Sequence, residues 1–275
     1  MIGIKQIKEK KAKQERITML TAYDYFTAKL MEEAGIETLL VGDSLGNVFK
    51  GEGNTLSVTV DEIIYHTKAV RKGAPNTFII ADMPFMSYHL NTTDTKINAA
   101  RLIIEGGANA VKLEGGSQSR IEMIKSILDC EIPVVAHLGL TPQSIAKIGD
   151  FKVQGRQEEE AVKLIEQAKS VEQAGAFMLV LEAVPEKLGK EISETLSIPI
   201  IGIGAGRYTD GQVLVINDLI GLSDYQAKFT KIFVDLKKGL LDGIKDYYNE
   251  VKQGEFPKKA NTYYPIDDTK SKIGV

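Results

Sequence analysis

Six ionisable side chains lie at the ends of short apolar runs in this 275-residue sequence; they are Asp43, Asp82, Lys112, Glu114, His137 and Glu182. A charged group at the end of an apolar strand is costly to bury unless it is paired or binds a counter-ion. Any single one could instead cap a helix or lie in a solvated loop. Six such positions argue against that interpretation for the whole set.

The types of these residues restrict the chemistry. Asp43, Asp82 and Glu114 offer hard oxygen ligands with no cysteine beside them, a set that favours Mg²⁺ over zinc. Lys112 and His137 can hold an anionic substrate. Glu182 follows a different apolar run and is available as a general base. A metal, two anion-binding cations and a separate carboxylate together indicate enolate chemistry on a 2-oxo acid.

The apolar runs themselves predict the elements that position these residues. The predicted strands are Thr18–Thr21, Thr38–Val41, Phe78–Ala81, Ala110–Leu113, Val134–His137, Met178–Leu181, Ile200–Ile203 and Val213–Ile216. Amphipathic segments such as Asp61–Arg71 and Glu158–Gln173 separate them, a pattern typical of parallel strands covered by helices. Eight repeats predict an α/β fold, a single-domain (β/α)8 TIM barrel, with an open doubly wound sheet as the alternative.

In a barrel, the C-terminal ends of all strands meet at one rim, where active sites are built. We expect residues 1–16 to form an extra N-terminal helix that closes the bottom of the barrel. Residues 17–254 should form the catalytic barrel, and residues 255–275 a polar C-terminal tail.

Composition excludes several classes of protein. The 34 basic and 37 acidic residues leave a net charge of −3, which gives no electrostatic footprint for nucleic acid. No apolar run reaches the roughly 18 residues of a membrane span, and the N-terminus has no apolar signal segment. We therefore expect a cytoplasmic protein. Cys130 is the only cysteine, so a disulfide within the chain is impossible, and its place before the fifth strand predicts a packing role on the bottom face.

Two short motifs point to other functions but lack the residues those functions need. Gly42–Leu45 spells the signature of GDSL-type serine hydrolases, which require a histidine late in the chain. The histidines here are His66, His89 and His137, and the second half of the chain has none. The loop Gly202–Arg207 resembles a dinucleotide-binding loop, but it lacks the third glycine and follows the seventh strand. We interpret it as a loop whose backbone passes close to a ligand.

Longer motifs carry a resemblance to a known family. They are Met19–Asp24, Val41–Gly46, Tyr65–Thr67, Asp82–Tyr88, Val111–Gly116, Ala136–Ser144, Lys152–Arg156, Leu181–Pro185 and Ile201–Gly206. The chain resembles the ketopantoate hydroxymethyltransferases, members of the phosphoenolpyruvate/pyruvate barrel superfamily, from about Ile2 to Pro257. Asp150 and Arg207 depart from the family pattern in loops, and the residues from Lys258 onward fit it poorly.

The resemblance implies a reaction and a set of roles. Asp43 and Asp82 would bind one Mg²⁺ per subunit, with Glu114 in or beside the coordination sphere. Asp43, Ser44, Asp82, Lys112 and His137 would surround the substrate, and Glu182 would be the catalytic base.

The implied activity is transfer of a hydroxymethyl group from 5,10-methylenetetrahydrofolate to 3-methyl-2-oxobutanoate through a Mg²⁺-stabilised enolate, giving 2-dehydropantoate for pantothenate biosynthesis. The sequence does not identify the folate-binding residues. The resemblance also implies a homo-oligomer, a decamer, with no nucleic acid or membrane partner.

Two further functions remain as alternatives from the sequence. A lyase of the same superfamily would cleave a carbon–carbon bond, but the isocitrate type uses a cysteine near the rim, and Cys130 is predicted at the opposite end. A barrel that binds a ligand without catalysis would retain the same rim residues.

Overall fold

The computed structural model, which describes residues 2–150 and 152–264, contains a closed barrel of eight parallel strands. The strands are Ile17–Thr21 (β1), Thr38–Val41 (β2), Phe78–Asp82 (β3), Ala110–Glu114 (β4), Val134–Gly139 (β5), Met178–Glu182 (β6), Ile200–Ile203 (β7) and Gly211–Leu214 (β8). β8 pairs with β1, placing Gly211 opposite Ile17. This closure confirms the predicted single-domain barrel and excludes the open sheet, which would have edge strands.

Helices lie before, between and after the strands. They are Ile4–Ala12 (α1), Tyr25–Glu33 (α2), Leu45–Val48 (α3), Val60–Gly73 (α4), Thr92–Ile104 (α5), Gln118–Leu128 (α6), Ile145–Ile148 (α7), Glu158–Ala174 (α8), Glu186–Thr195 (α9), Ile216–Leu219 (α10) and Leu236–Gln253 (α11). Local sequence determines where the helices begin, as the capping box at the start of α4 shows. The Thr59 hydroxyl accepts a hydrogen bond from the Glu62 amide at 3.2 Å, and the Glu62 carboxylate accepts one from the Thr59 amide at 2.8 Å.

The alternation of side chains along the strands builds two apolar layers. Inward residues such as Met19, Ile80 and Val180 fill the barrel interior, and Ile7 of α1 is fully buried in the same cluster. Outward residues such as Leu39 and Val111 pack in the layer beneath the helices. The interior is therefore a packed core, which fixes the strand ends that carry the ionisable residues.

The outer layer is incomplete over β8 and β1. Both strands alternate between buried inward positions and outward positions that are exposed or half-buried; the outward residues are Thr18, Leu20, Gln212 and Leu214. In β2, β3 and β4 every residue is buried. The last long helix, α11, has no buried residue. The described part of the chain therefore buries none of the residues of that helix.

The eighth strand lies two residues earlier than predicted, at Gly211–Leu214 instead of Val213–Ile216. A Cβ atom at Gly211 would lie 2.3 Å from the Ile17 carbonyl oxygen, so only glycine permits the close approach that seals the barrel. Ile216 begins α10, and its amide donates to the Thr21 hydroxyl at 2.9 Å. The apolar pattern gave no signal for a strand that starts with glycine.

Among the helices in the described part of the chain, none is both long and apolar enough to cross a membrane. Of the predicted polar tail, residues 255–264 are exposed, and residues 265–275 lie outside the described residues.

Candidate active site

The strand ends bring the six predicted ionisable residues together at one rim. Asp82 and Glu114 are the last residues of β3 and β4, Glu182 is the last residue of β6, and Asp43 follows β2 by two residues. The parallel register sets Asp82 opposite Lys112, and Glu114 opposite His137. The chain of contacts described next joins all six side chains into one group, called here the acid–base cluster.

The first part of the cluster is a buried ion pair. The Lys112 ammonium lies 2.7 Å from Asp82 Oδ1, with the two side chains only 4% and 2% exposed. The other oxygen of Asp82 accepts a hydrogen bond from the Asp43 amide at 3.1 Å. Burial raises the pKa of Asp82, although Lys112 acts against this. Burial would lower the pKa of Lys112, but the carboxylates of Asp82, Glu114 and Asp43 outweigh it and raise that pKa.

Asp43 lies in an electrostatic environment that disfavours its ionised form. Burial, together with the negative charges of Asp82 and Glu114, raises the pKa of Asp43 to about 8. The cluster therefore holds more carboxylate charge than Lys112 neutralises, and an additional cation at Asp43 would be stabilised.

The second part of the cluster centres on His137. Its Nδ1 lies 3.3 Å from Glu114 Oε1, and its Nε2 lies 3.3 Å from Glu182 Oε2. Burial and the nearby Lys112 act to lower the pKa of His137, but the two carboxylates outweigh them and raise it to about 9. At neutral pH the ring is therefore an imidazolium held between two carboxylates, even though Nδ1 also lies 3.3 Å from the Lys112 ammonium.

Glu182 is more open than the other acids, with its side chain 16% exposed. The alternative role as a helix cap does not fit, because α9 begins at Glu186 after Pro185 and its N-terminus has no side-chain cap. The residue after Glu182, Ala183, has a φ of 48°, a left-handed conformation that is costly for alanine. Its amide donates to the Ile203 carbonyl at 2.8 Å. The turn that presents Glu182 to the rim is thus held by the neighbouring strand.

Gln143 connects the two parts of the cluster, and the sequence analysis did not single it out. Its side-chain nitrogen donates to Asp43 Oδ2 at 2.8 Å and to the Met83 carbonyl at 3.0 Å. Its backbone amide donates to Glu114 Oε2 at 3.1 Å, and its side-chain oxygen accepts from the Tyr88 hydroxyl at 2.6 Å. The only sequence signal was its place in the Ala136–Ser144 motif just after β5.

Ser44 lies beside this cluster and is paired with a tyrosine. Its hydroxyl oxygen is 2.7 Å from the hydroxyl of the fully buried Tyr23. His66 Nδ1 contacts the Tyr23 carbonyl oxygen at 2.6 Å, and its ring packs edge-on against Phe49. In the described part of the chain no histidine hydrogen-bonds to Ser44, so the serine-hydrolase interpretation fails. His66 therefore packs beside Tyr23 and Phe49 and is not part of the acid–base cluster.

Two other predictions concern the glycine loop after β7 and Cys130. A Cβ atom at Gly204 would lie 2.7 Å from the Phe229 ring, which gives this glycine a packing reason. The passage of the loop close to a ligand stays a prediction. Cys130 is exposed just after α6, so its predicted packing role is wrong. Its place before β5 still separates it from the rim, which removes the support for a cysteine-dependent lyase.

The donor set fits a Mg²⁺ ion held by few protein ligands. Asp82 Oδ1 and Glu114 Oε1 are buried and lack a well-directed hydrogen bond. Within the described residues no three acidic, histidine or cysteine side chains converge closely enough to hold an ion by themselves. Mg²⁺ is usually bound through one or two carboxylates and keeps waters or substrate oxygens. Asp43 and Asp82 match that requirement, whereas Glu114 is already held by Gln143 and faces His137.

A closed parallel barrel with buried acids and bases at the C-terminal ends of its strands defines an enzyme of the TIM-barrel class. The family model described as ketopantoate hydroxymethyltransferase matches residues 1–259, and the chain belongs to this family. The family resemblance predicted from the motifs is therefore confirmed.

Curated relatives of the same name match nearly the whole chain. The 3-methyl-2-oxobutanoate hydroxymethyltransferase of Clostridium beijerinckii is 51% identical over 273 residues, which cover 99% of this chain and 98% of the relative. The protein of the same name from Clostridium novyi is 56% identical over 256 residues, covering 93% of this chain and 92% of the relative.

Solved structures of other enzymes share the fold at low identity. Phosphonopyruvate hydrolase, in a complex with oxalate and Mg²⁺, has a TM-score of 0.63 at 10% identity, over 96% of this chain and 92% of that one. A 2,3-dimethylmalate lyase of the PEP mutase/isocitrate lyase superfamily has a TM-score of 0.60 at 14% identity, over 94% of this chain and 91% of that one. At such identities the likeness is one of fold alone.

Proposed function

We propose that the chain transfers a hydroxymethyl group from 5,10-methylenetetrahydrofolate to 3-methyl-2-oxobutanoate, giving 2-dehydropantoate for pantothenate biosynthesis in the cytoplasm. The overall reaction consumes one water and releases tetrahydrofolate. The C3–H bond of the oxo acid and the two C–N bonds of the one-carbon unit break, while a bond from C3 to that carbon and a bond from it to the water oxygen form; the released protons return to the folate nitrogens. The observation that carries this proposal is the acid–base cluster at the ends of β2 to β6 in a chain of this family.

Glu182 accepts the C3 proton in this proposal. It is the cluster's partly exposed carboxylate, and it stands apart from the ion pair of Asp82 with Lys112. The Nε2 atom of protonated His137 lies 3.3 Å away and places a positive charge beside the carboxylate, without a well-directed hydrogen bond. A positioned base contributes roughly 10²- to 10⁴-fold to a rate. That is too little for a weak carbon acid, so the charge that develops on the keto oxygen must also be stabilised.

That stabilisation is assigned to the other end of the cluster. Asp43 and Asp82 would hold Mg²⁺, with Glu114 beside it, and Lys112, His137 and Ser44 would contact the substrate carboxylate and keto oxygen. A bound Mg²⁺ supplies Lewis-acid stabilisation of negative charge on that oxygen. Gln143 holds Asp43 and Glu114 in place through hydrogen bonds of 2.8 and 3.1 Å.

Deuterium exchange at C3 of 3-methyl-2-oxobutanoate in D₂O, without folate, tests proton removal separately from one-carbon transfer. We expect exchange with Mg²⁺, none with excess chelator, and recovery when Mg²⁺ is added back. Full exchange in excess chelator would contradict the metal assignment. No exchange under any of these conditions would contradict enolisation by this site. Release of tetrahydrofolate that requires the oxo acid would then test the transfer step.

We also infer that the chain works as a homo-oligomer, and propose the decamer that the family resemblance implies. The bare outer face of β8 and β1 borders a groove of about 630 Å³ whose lining is mostly apolar and includes Leu20, Leu219, Phe229 and Phe233. In a (β/α)8 barrel a helix normally covers this face. Within the described residues no buried position of α11 fills that role.

α11 of a second copy is the occupant that fits this groove. Leu240, Ile244, Tyr247 and Val251 form one apolar stripe on α11, and each is at least 44% exposed. The helix has 18 residues, which corresponds to a length of about 27 Å. Exchange of this helix between two copies would complete the outer helical layer of both barrels. It would also bury the apolar groove and the apolar stripe of α11.

A further inference from the structure

A cavity of about 600 Å³ opens on the rim beside the acid–base cluster. Its walls come from the segments after β3, β4 and β5 and from the first turns of α8. The walls include Glu114 of the acid–base cluster and Gln143, which hydrogen-bonds to it, so the inner end of the cavity borders the cluster. Cavities of 300 to 1,000 Å³ are typical sites for ligands of drug size. The cavity is therefore large enough for a second substrate next to the oxo acid.

One wall of this cavity is aromatic. The rings of Phe85 and His89 lie 5.1 Å apart, and those of Tyr88 and His89 lie 4.3 Å apart. The Arg120 guanidinium lies over the Tyr88 ring, 4.9 Å from its centre. His89 Nδ1 is buried and has no hydrogen-bond partner. Burial and Arg120 lower the pKa of His89 to about 4, so its ring is neutral at pH 7 and can pair with a heteroaromatic nitrogen.

The rest of the wall carries positive charge. Arg120, Lys147 and Lys163 line the cavity, against the carboxylates of Glu114 and Glu160. Among the ion pairs of the described residues, none involves Arg120, Lys147 or Lys163. Lys147 and Lys163 are exposed and lie in α7 and α8, away from the aromatic wall after β3. A matching ligand has a flat heteroaromatic ring at one end and carboxylates at the other.

We propose that this cavity binds the folate donor, with the pteridine against Phe85 and His89 and the glutamate tail near Lys147 and Lys163. The assignment rests on the proposed function and extends it, because no residue has so far been given to the second substrate. The orientation follows from the chemistry: the transferable carbon sits at the ring end of the donor. The aromatic wall is next to Glu114 and Gln143, whereas the lysines are in separate helices.

A charge reversal in α8 tests the assignment of the tail. The measurement is equilibrium binding of tetrahydrofolate and of tetrahydropteroate, which lacks the glutamate, with the oxo acid present. Lys163→Glu should weaken tetrahydrofolate binding about fivefold or more and leave tetrahydropteroate within about twofold, with a smaller effect at high salt. Lys169→Glu, on the same helix but outside the cavity, is the matched control and should change neither affinity by more than about twofold.

A second variant tests the ring end. Phe85→Ala should weaken binding of both ligands by about tenfold, because stacking on the ring does not depend on the glutamate. Phe26→Ala removes an exposed ring from α2, far from this cavity in the sequence, and should leave both affinities unchanged.

The outcomes separate this assignment from the proposed function. Equal effects of Lys163→Glu and Lys169→Glu on tetrahydrofolate would overturn the assignment, as would an equal loss of both ligands in Lys163→Glu. If the wild-type protein exchanges C3 deuterium but Lys163→Glu and Phe85→Ala bind folate normally, the cavity assignment alone is wrong. Absence of C3 exchange in the wild-type protein would instead contradict the function on which the assignment rests.

Discussion

The barrel has two arcs that differ in what their strands carry. The strands β2 to β6, called here the active arc, have an ionisable residue within two residues of each C-terminal end. The strands β7, β8 and β1, called the bare arc, end in Ile203, Leu214 and Thr21. The strands of the active arc are almost wholly buried, whereas the outward faces of β8 and β1 are partly exposed.

This difference follows from what each arc must do. Charged groups such as Lys112 and Asp82 interact strongly only where water is excluded, so the arc that carries them needs a complete cover of helices. The bare arc holds no such charges and can leave its outer face open to another chain. The proposed function thus assigns catalysis and assembly to opposite sides of one barrel, and changes on one arc should leave the other intact.

The largest expected effect comes from the active arc. Glu182→Gln keeps the shape of the side chain but removes the base, so C3 exchange should fall by about a thousandfold. Binding of Mg²⁺ and oxo acid should persist, because Glu182 is not one of the proposed ligands. Glu191→Gln, an exposed acid on α9, is the control and should exchange normally. Exchange within fivefold of wild type would assign the proton to another residue, with His137 the next candidate.

The charge on His137 should appear in the pH dependence of stability. Its pKa is raised from 6.5 to about 9, so its contribution is fully present below pH 6.5 and is lost as the pH rises through 9. Denaturant unfolding of wild type and His137→Gln should differ by on the order of 3 kcal/mol at pH 6, and the difference should shrink above pH 9.

His89→Gln is the control with the opposite sign. The lowered pKa of His89, about 4, means that this histidine destabilises the fold as the pH falls from 6.5 to 4. Its variant should therefore gain stability relative to wild type at acidic pH. A His137 difference that is flat or grows with pH would contradict an imidazolium between Glu114 and Glu182.

On the bare arc, acidic substitutions should break the assembly. Leu240→Asp combined with Ile244→Asp places two charges on the exposed apolar stripe of α11 and should weaken association by roughly thirtyfold. Sedimentation velocity at several concentrations measures this. Asn249→Asp with Gln253→Glu adds the same charge to the opposite face of the helix and should leave the oligomer intact. Equal dissociation in both variants, or none in the first, would exclude α11 as the interface.

The smallest effect is expected at Cys130, which belongs to neither site. Because it is exposed, Cys130→Ser should change the free energy of unfolding by less than about 0.5 kcal/mol and leave turnover unchanged. Ile127→Ala, one turn earlier on α6 and fully buried, should cost about 2–5 kcal/mol. A large loss of turnover in folded Cys130→Ser would restore the lyase interpretation.

The rim residues were predictable because each one is a charged residue at the end of an apolar run. In a parallel barrel these strand ends meet at one rim, so the charged residues must lie close together. Gln143 and Tyr88 were not predictable in this way, since Gln143 lies in the short 3-10 helix Pro142–Ser144 and Tyr88 in a turn, neither of which has a periodic pattern. The start of β8 was missed because glycine is unfavourable in strands. The close approach of the Ile17 carbonyl nevertheless requires glycine at position 211. The burial predicted for Cys130 was wrong. Cysteine is usually a buried residue, but the turn after α6 leaves Cys130 exposed to solvent.

The sequence by itself determined the barrel, the family and the set of ionisable residues at the strand ends, because local periodicity and motif order carry that information. Only the tertiary structure decided how those residues pair. Lys112 joins Asp82, while His137 lies between Glu114 and Glu182, and these contacts depend on strand register. The raised pKa values of Asp43 and His137 have the same origin, since interaction energies between charges depend on distance and on the exclusion of water.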